Sequence, residues 1–179
     1  CNARLVKEEG EAAHYCPNYN HCPPQILGRF QHFVSKKAMN IDSLGEERIK
    51  ILFSSGLIKD FSSFYTLKQE DIIGLGSLDK ENKANIQAKG ANNIIQAINK
   101  SKEVDFTKVL YALGIRYVGE VTAKRLATTF KNIDSLIKAT KEELLSVEDV
   151  GERIADSLLT YFSDQDNLDL IARLKDLGL

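Results

Sequence analysis

Residues 112–124 carry the clearest fold signal in this 179-residue chain and read Ala-Leu-Gly-Ile-Arg-Tyr-Val-Gly-Glu-Val-Thr-Ala-Lys. Within them, Val118 and Gly119 open a helix that we expect to run through Phe130. The small residue Ala123 follows the glycine by four positions, about one helical turn. Because a second helical pattern precedes this one closely, the stretch predicts two helices joined by a tight turn. The same unit recurs as Leu44-Gly45-x-x-x-Ile49 and as Val150-Gly151-x-x-x-Ala155.

A glycine at the first turn of a helix is suited to binding an anion. The first N–H groups of a helix lack intrahelical partners, and the macrodipole adds positive potential there. Because glycine has no side chain, a phosphate can approach those N–H groups directly, whatever the base sequence. A single glycine is more often only a cap in a helical scaffold, whereas three in register favour phosphate binding. We also expect a positive φ at Gly119.

Beyond the first 25 residues the chain has the pattern of an almost wholly helical protein. Apolar residues recur at spacings of three and four, and all three prolines precede this region. A polar run near Lys100–Phe106 separates two such helical stretches. We therefore expect a mainly α body over residues 28–179, with sub-units of about 28–102 and 103–179, preceded by a small β ribbon over residues 1–27.

Composition and charge exclude several classes of protein. Hydrophobic residues make up 43% of the chain and charged residues 27%, as in soluble globular proteins and unlike disordered ones. No apolar run approaches the roughly 20 residues of a membrane-spanning helix. The net charge of −1 conceals an asymmetry, since residues 80–131 hold ten Lys/Arg against four Asp/Glu and residues 132–179 hold five against eleven. The basic middle forms either a cationic face for nucleic acid or a solvated surface of uneven charge.

The three cysteines lie close together near the N-terminus, at Cys1, Cys16 and Cys22. The segments Arg4–Lys7 and Ala12–Tyr15 look like two short strands joined by a turn over Glu8–Glu11. Such a hairpin would bring Cys1 and Cys16 together, and Cys16 and Cys22 form a second knuckle. Pairs of knuckles of this kind are typical of a structural zinc ribbon.

Tetrahedral zinc takes four ligands, and the cysteines supply three. The fourth cysteine would lie ahead of Cys1, so we expect an incomplete site in which His14, His21 or water takes its place. A Cys16–Cys22 disulfide is the alternative. Because the chain opens on a cysteine and its only methionine is Met39, we also expect it to be a piece of a longer protein.

Several stretches are similar to one protein family. Cys16-Pro17-Asn18 and Cys22-Pro23, followed by Gln25, resemble part of a four-cysteine finger, of which Cys1, Cys16 and Cys22 match the last three ligands. Residues 112–124 are the most diagnostic hairpin. The other similar stretches are Asp42–Gly45, Gly56–Asp60, Tyr65–Leu67, Val150-Gly151, Tyr161-Phe162 and Leu174–Leu179. Essentially the whole chain resembles the zinc-finger and helix-hairpin-helix region of bacterial NAD-dependent DNA ligase.

One hairpin of the family pattern departs from it in this chain. Lys89-Gly90-Ala91 matches the start of the helix that follows the second hairpin. The turn before it reads Asn85-Ile86-Gln87, without the glycines of the other turns. Ser77–Ala84 looks like an insertion.

The resemblance implies a fold of tandem helix-hairpin-helix motifs in two double-hairpin units, preceded by a zinc ribbon. It implies a parent enzyme that seals nicked DNA with NAD and magnesium through a lysyl-adenylate. Adenylation and oligonucleotide-binding-fold domains would lie upstream and a BRCT domain downstream, in a cytoplasmic, nucleoid-associated protein without a membrane segment. The Lys-x-Asp-Gly motif of the adenylated lysine occurs nowhere in these 179 residues, so we expect this portion to be non-catalytic.

These patterns give a set of expected site residues. No catalytic residue is expected, and Cys1, Cys16 and Cys22 are the expected zinc ligands. Two alternatives stay open: a similar module of another repair or recombination protein, and a helical protein-interaction scaffold with no affinity for duplex DNA. The residues expected to bind DNA are Gly45, Arg48, Lys89, Arg116, Val118, Gly119, Thr122, Lys124, Arg125, Gly151 and Arg153.

Overall fold

The computed structural model describes residues 1–7, 12–19, 21–76 and 85–179, and over them the protein is mainly α-helical. No helix within those ranges is both long and apolar enough to cross a membrane. One 3₁₀ helix spans Ser62–Thr66. The α-helices are α1 Pro23–Val34, α2 Glu46–Ser54, α3 Gln69–Ile72, α4 Ala88–Ser101, α5 Phe106–Ala112, α6 Glu120–Phe130, α7 Ile133–Ile137, α8 Lys141–Leu145, α9 Glu152–Ser163 and α10 Gln165–Asp176.

The N-terminal ribbon is smaller than its sequence predicts. Its described residues contain one antiparallel bridge, in which Val6 and Tyr15 exchange backbone hydrogen bonds of 2.9 and 2.8 Å. The two predicted strands are therefore reduced to a single pair of residues. Leu5 is 56% exposed and Val6 36%, so the segment buries too little apolar surface to support a longer ladder. The predicted turn over Glu8–Glu11 lies outside the described residues.

The hairpin unit occurs four times in the same register, once more than the glycine pattern indicates. The second helices of the four units are α2, α4, α6 and α9, with Gly45, Gln87, Gly119 and Gly151 at the residue before each. Apolar or small residues at positions −1, +4 and +7 from these residues are all buried, none more than 8% exposed. They are Leu44, Ile49, Leu52, Ile86, Ala91, Ile94, Val118, Ala123, Leu126, Val150, Ala155 and Leu158.

One contiguous buried cluster runs from α1 to α10 and holds the four units together. Phe30 packs edge-on against Phe64, with ring centres 5.4 Å apart, and Phe33 stacks on Phe61 at 4.3 Å. Two polar contacts also join the part of the chain that ends with α4 to the part that begins with α5. His32 Nε2 lies 2.7 Å from the Tyr111 carbonyl oxygen, and Lys102 Nζ donates to the Leu177 carbonyl at 2.6 Å. The helical pattern is interrupted between Ser101 and Phe106, where the polar run predicts it. The division of the body into two sub-units stays a prediction.

Candidate nucleic-acid interface

The second helix of every hairpin begins without a side-chain cap. The residue before each of these helices has an extended backbone, with φ between −74° and −92° and ψ between 161° and 177°. Three of the four, Gly45, Gly119 and Gly151, have no side chain to cap the helix, and the side chain of Gln87 accepts no hydrogen bond from it. The first N–H groups of α2, α4, α6 and α9 therefore receive no side-chain cap from the position that usually provides one.

Other helices of the same chain are capped in the usual way. Asp105 accepts from the Lys108 N–H at the start of α5, and Thr140 accepts from the Glu143 N–H at the start of α8. Asn132 and Asp164 cap α7 and α10. In the third and fourth hairpins the first helix is thus capped by a side chain and the second is not. α1 and α3 begin after Cys22 and Lys68, which offer no side-chain oxygen either, so the contrast in capping holds within the third and fourth hairpins.

The glycines do not serve to adopt a positive φ, so the expectation for Gly119 is wrong. Its φ is −81°, and a Cβ added there, as at Gly45 and Gly151, would meet nothing within 4 Å. The left-handed residue stands two positions earlier in each of these turns, at Ser43 (φ 74°), Tyr117 (66°) and Asp149 (60°). The turn reverses at a non-glycine residue, and the glycine only leaves the helix start uncovered.

Two arginines flank the turn of the third hairpin. The Arg116 guanidinium lies 4.9 Å from the centre of the Tyr117 ring, and that of Arg153, from the first turn of α9, lies 4.6 Å from it. Ser157 donates to the Arg116 carbonyl at 2.7 Å, which ties α9 to the same turn. These residues border an open groove of about 480 Å³ that also reaches Gly114. Arg116 and Arg153 therefore meet at the Tyr117 ring, in the turn that precedes α6, and their contact with a phosphate stays a prediction.

Neighbouring cations on α6 lie in different surroundings. Lys124 is exposed to solvent. Arg125 is only 28% exposed and pairs with the fourth hairpin, through Nη1 to Glu148 Oε2 at 2.6 Å and Nη2 to Asp149 Oδ2 at 2.8 Å. Thr122 is half-buried on the same helix. Arg125 joins the two hairpins, and Lys124 is the residue of this pair that faces water.

The first two hairpins bring a further cationic pair together. Arg48 Nη1 donates to the Ser43 carbonyl at 2.6 Å, and its Nη2 lies 3.9 Å from the position that a Cβ on Gly90 would take. Arg48 therefore reaches from α2 to the first turn of α4. Lys89 is exposed at that turn. The second hairpin, which has Gln87 before its second helix, thus has an uncapped helix start like the other three, with the exposed cation Lys89 beside it.

The three cysteines form a cluster of the kind that can hold a metal ion. The Sγ atoms of Cys1, Cys16 and Cys22 all lie within 4.8 Å of one another, and those of Cys1 and Cys16 are 3.5 Å apart. Tetrahedral zinc with Zn–S bonds of about 2.3 Å places its sulfurs about 3.8 Å apart, so the donor set and its spacing fit zinc. All three thiols are free, and no disulfide joins Cys16 to Cys22. Among the described residues, neither His14 nor His21 belongs to the cluster.

Cys22 also stands at the start of a helix. It precedes Pro23 at the first position of α1, and the Gln25 backbone N–H, hydrogen-bonded to its sulfur, lowers the pKa of the Cys22 thiol. The Gln25 side chain donates to the Cys16 carbonyl at 3.0 Å. A lowered thiol pKa favours the thiolate that binds zinc.

Two tyrosines attach the ribbon to the helical body. The Arg29 guanidinium of α1 lies 3.8 Å from the centre of the Tyr19 ring and donates to the Tyr19 carbonyl at 2.9 Å. The Tyr15 ring lies 5.1 Å from the Arg116 guanidinium. The first contact joins the ribbon to α1, and the second joins it to the turn of the third hairpin. Sequence reasoning missed them, because no local pattern pairs an aromatic residue with an arginine so distant along the chain.

Known proteins match this chain over its whole length. Residues 1–23 match the NAD-dependent DNA ligase C4 zinc finger domain, and residues 108–171 match the helix-hairpin-helix motif. All 179 residues align with proteins named DNA ligase from Bacteroides fragilis (48% identical), Flavobacterium johnsoniae (46%) and Cytophaga hutchinsonii (42%). The chain spans 26% of the length of each. It belongs to the NAD-dependent DNA ligase family, within which it comprises the zinc-finger and helix-hairpin-helix portion.

Proposed function

We propose that this chain binds the sugar–phosphate backbone of nicked duplex DNA, independently of base sequence, and takes no part in the chemistry of sealing. The observation that carries this proposal is the contrast in capping. In the third and fourth hairpins, α6 and α9 begin without a side-chain cap, while the preceding helices α5 and α8 are capped by Asp105 and Thr140. α2 and α4 begin without a side-chain cap as well. An uncapped start leaves N–H donors for an outside acceptor.

A DNA phosphate suits these donors. It is an anion, and each helix start presents N–H groups together with the positive end of the helix dipole. Such contacts recognise no base, so the proposed binding has no sequence preference. They also require no large positive net charge, which is consistent with the total of −1.

Side-chain cations provide the part of the binding that depends on salt. Lys89, Arg116, Lys124 and Arg153 are exposed at or next to the hairpin helix starts. Each cation that neutralises a phosphate releases condensed counterions, which makes affinity fall as salt rises. Gly45, Gly119 and Gly151, with Val118 packed beneath the third turn, allow the close approach. Arg48 links α2 to the first turn of α4, Thr122 lies half-buried on α6, and Arg125 positions the fourth hairpin.

The wider protein supplies the chemistry in this proposal. The parent enzyme seals nicks in replication and repair, in the cytoplasm and at the nucleoid, with NAD and magnesium bound outside this portion. Its adenylation and oligonucleotide-binding-fold domains precede this portion and a BRCT domain follows it. Zinc, held by Cys1, Cys16 and Cys22, has a structural role in fixing the ribbon against the third hairpin.

Fluorescence anisotropy on a nicked duplex, measured across a salt series, tests the binding. We expect affinity that falls with salt and does not change when the base sequence around the nick is changed. Absence of affinity at every salt concentration would contradict the proposal and favour a protein-interaction scaffold. Incubation of the chain with NAD, magnesium and nicked DNA tests the second part, and we expect neither covalent adenylate nor sealed product.

A further inference from the structure

An acidic residue follows the glycine of three hairpins. Glu46, Glu120 and Glu152 occupy the first helical position of α2, α6 and α9, next to the N–H groups proposed to bind phosphate. α4 has Ala88 there and no acidic residue in its first turn. A carboxylate at a helix N-terminus stabilises the helix through the dipole, yet it repels a phosphate brought to the same place.

A lysine pairs with each of these glutamates. Lys50 Nζ lies 2.5 Å from Glu46, Lys37 Nζ lies 2.9 Å from Glu120, and Lys141 Nζ lies 2.6 Å from Glu152. Three unrelated parts of the fold supply them. Lys50 comes from the same helix as its partner, Lys37 from the loop after α1, and Lys141 from the first position of α8.

These pairs are exposed, and such pairs contribute little to stability. The side chains of Lys37 and Glu120 are 69% and 54% exposed. The ionic partners nevertheless favour their charged forms. Hydrogen bonding to Glu120 raises the pKa of Lys37, and hydrogen bonding to Lys50 lowers the pKa of Glu46. The ion pair recurs at three helix starts although its lysine comes from a different part of the fold each time. Neutralisation of the glutamate charge explains this recurrence better than a contribution to stability does.

We propose that Lys37, Lys50 and Lys141 are positioning residues for DNA binding, each of which neutralises the glutamate beside a hairpin glycine so that a phosphate can approach. This inference rests on the proposed function. The glutamate supports the start of the helix, and the lysine offsets the repulsion that the glutamate would exert on DNA. In the second hairpin, where no glutamate follows the capping position, no such lysine is required.

The third hairpin offers the clearest test. In the first hairpin a second acidic residue, Glu47, follows Glu46, and in the fourth hairpin Lys141 also pairs with Asp156 at 2.7 Å. At these two helix starts a lysine substitution would therefore change more than one ion pair or leave a second carboxylate. The variants are Lys37→Met, Glu120→Gln and the double substitution. Lys175→Met is the control, because Lys175 forms an exposed ion pair with Asp134 in the first turn of α7, a helix that Asn132 caps.

Anisotropy on a nicked duplex gives the readout, with thermal melting as a check on folding. We expect Lys37→Met to weaken binding about three- to tenfold at low salt, and the double variant to return to within about twofold of the parent. Lys175→Met should stay within about twofold. Substitution of Lys50 by Met, with and without Glu46→Gln, repeats the comparison if Lys37→Met does not fold.

Rescue distinguishes the proposed role from a direct contact. If Lys37 itself binds a phosphate, Glu120→Gln will not restore the affinity lost in Lys37→Met, and the double variant will keep a salt slope reduced by about 1. That result would overturn this inference while leaving DNA binding by the parent intact. A parent chain without affinity for nicked duplex would instead overturn the proposed function.

Discussion

Arg125 of α6 and Asp149 of the fourth hairpin lie 2.8 Å apart, from Nη2 to Oδ2, and this ion pair joins one hairpin helix to the turn of the next. Asp149 has a φ of 60° and stands two residues before Gly151. Glu148 adds a second contact to the same guanidinium. The pair therefore helps to fix the distance between the open starts of α6 and α9, which successive phosphates of one DNA strand would have to match.

Arg125→Met should lower the stability of the fold more than substitution of the neighbouring Lys124 does. The arginine is mostly buried and holds two carboxylates, so its loss leaves both without their cation. We expect the free energy of unfolding to fall by about 1 kcal/mol, near the upper end for such pairs. Denaturant unfolding measures this change, and an unaltered midpoint would show that Arg125 does not connect the hairpins.

Lys124→Ala should affect DNA binding and not stability. Lys124 is exposed, one turn after Gly119, so its charge is available to a neighbouring phosphate. We expect the slope of log affinity against log salt to decrease in magnitude by about 1. Preference among base sequences should not change. The salt series that measures the parent measures this variant too, and an identical slope would remove Lys124 from the interface.

Tyr65 should make the fold sensitive to alkaline pH. Burial raises the pKa of Tyr65 from its ordinary value of 10 to about 12. The Ser101 hydroxyl donates to the Ile98 carbonyl at 2.7 Å and accepts from the Tyr65 hydroxyl at 3.0 Å. Between pH 10 and 12 the unfolded chain has lost the tyrosine proton and the folded chain has kept it, so stability falls as pH rises above 10.

The fall is up to about 1.4 kcal/mol per pH unit for one such group. Tyr65→Phe should reduce the loss of stability between about pH 9 and pH 11, measured by denaturant unfolding. Part of the loss should remain, because burial also raises the pKa of Tyr161. An unchanged pH dependence in Tyr65→Phe would show that Tyr65 ionises equally in both states.

Zinc removal should leave the helical body folded. The three cysteine sulfurs cluster outside the main core, which runs from α1 to α10. With three cysteine ligands and water in the fourth position, zinc should be lost to a chelator more readily than from a closed site. Native mass spectrometry and far-ultraviolet circular dichroism before and after chelation test this. Retention of one zinc per chain, or loss of helix with the metal, would contradict it.

Much of the fold follows from local signals in the sequence. Apolar spacing and glycine turns predict the start of α6 after Gly119 and its end at Phe130, and the structure confirms both. The sequence predicts the hairpin around Gln87 only in part, because its register is set by burial of Ile86, Ala91 and Ile94 and not by a glycine.

Other features depend on contacts that local patterns do not contain. The sequence predicts a positive φ at Gly119, because glycine adopts it most readily, whereas the structure has it at Tyr117. The pairing of Arg125 with Glu148 and Asp149 requires the packing of two hairpins. The ribbon strands alternate plausibly in sequence but lack the apolar surface to extend beyond Val6 and Tyr15.

Gly119 is the position where capping and DNA binding should oppose each other. Gly119→Val adds bulk in open space at an extended residue, so it should block a phosphate with little effect on folding. We expect weaker binding with a nearly unchanged salt slope. Gly119→Asp and Gly119→Asn should cap α6 as Asp105 and Asn132 cap other helices, raising stability by a few tenths of a kcal/mol.

The affinity of Gly119→Asp for a nicked duplex tests the central claim most directly. The carboxylate both occupies the open N–H groups and repels a phosphate, so we expect a melting temperature equal to or above the parent's and binding at least tenfold weaker. Gly119→Asn should weaken binding less, and Asn132→Asp, at a helix that already has a side-chain cap, should change it little. Parental affinity in a stably folded Gly119→Asp would contradict the claim that open hairpin N-termini bind DNA.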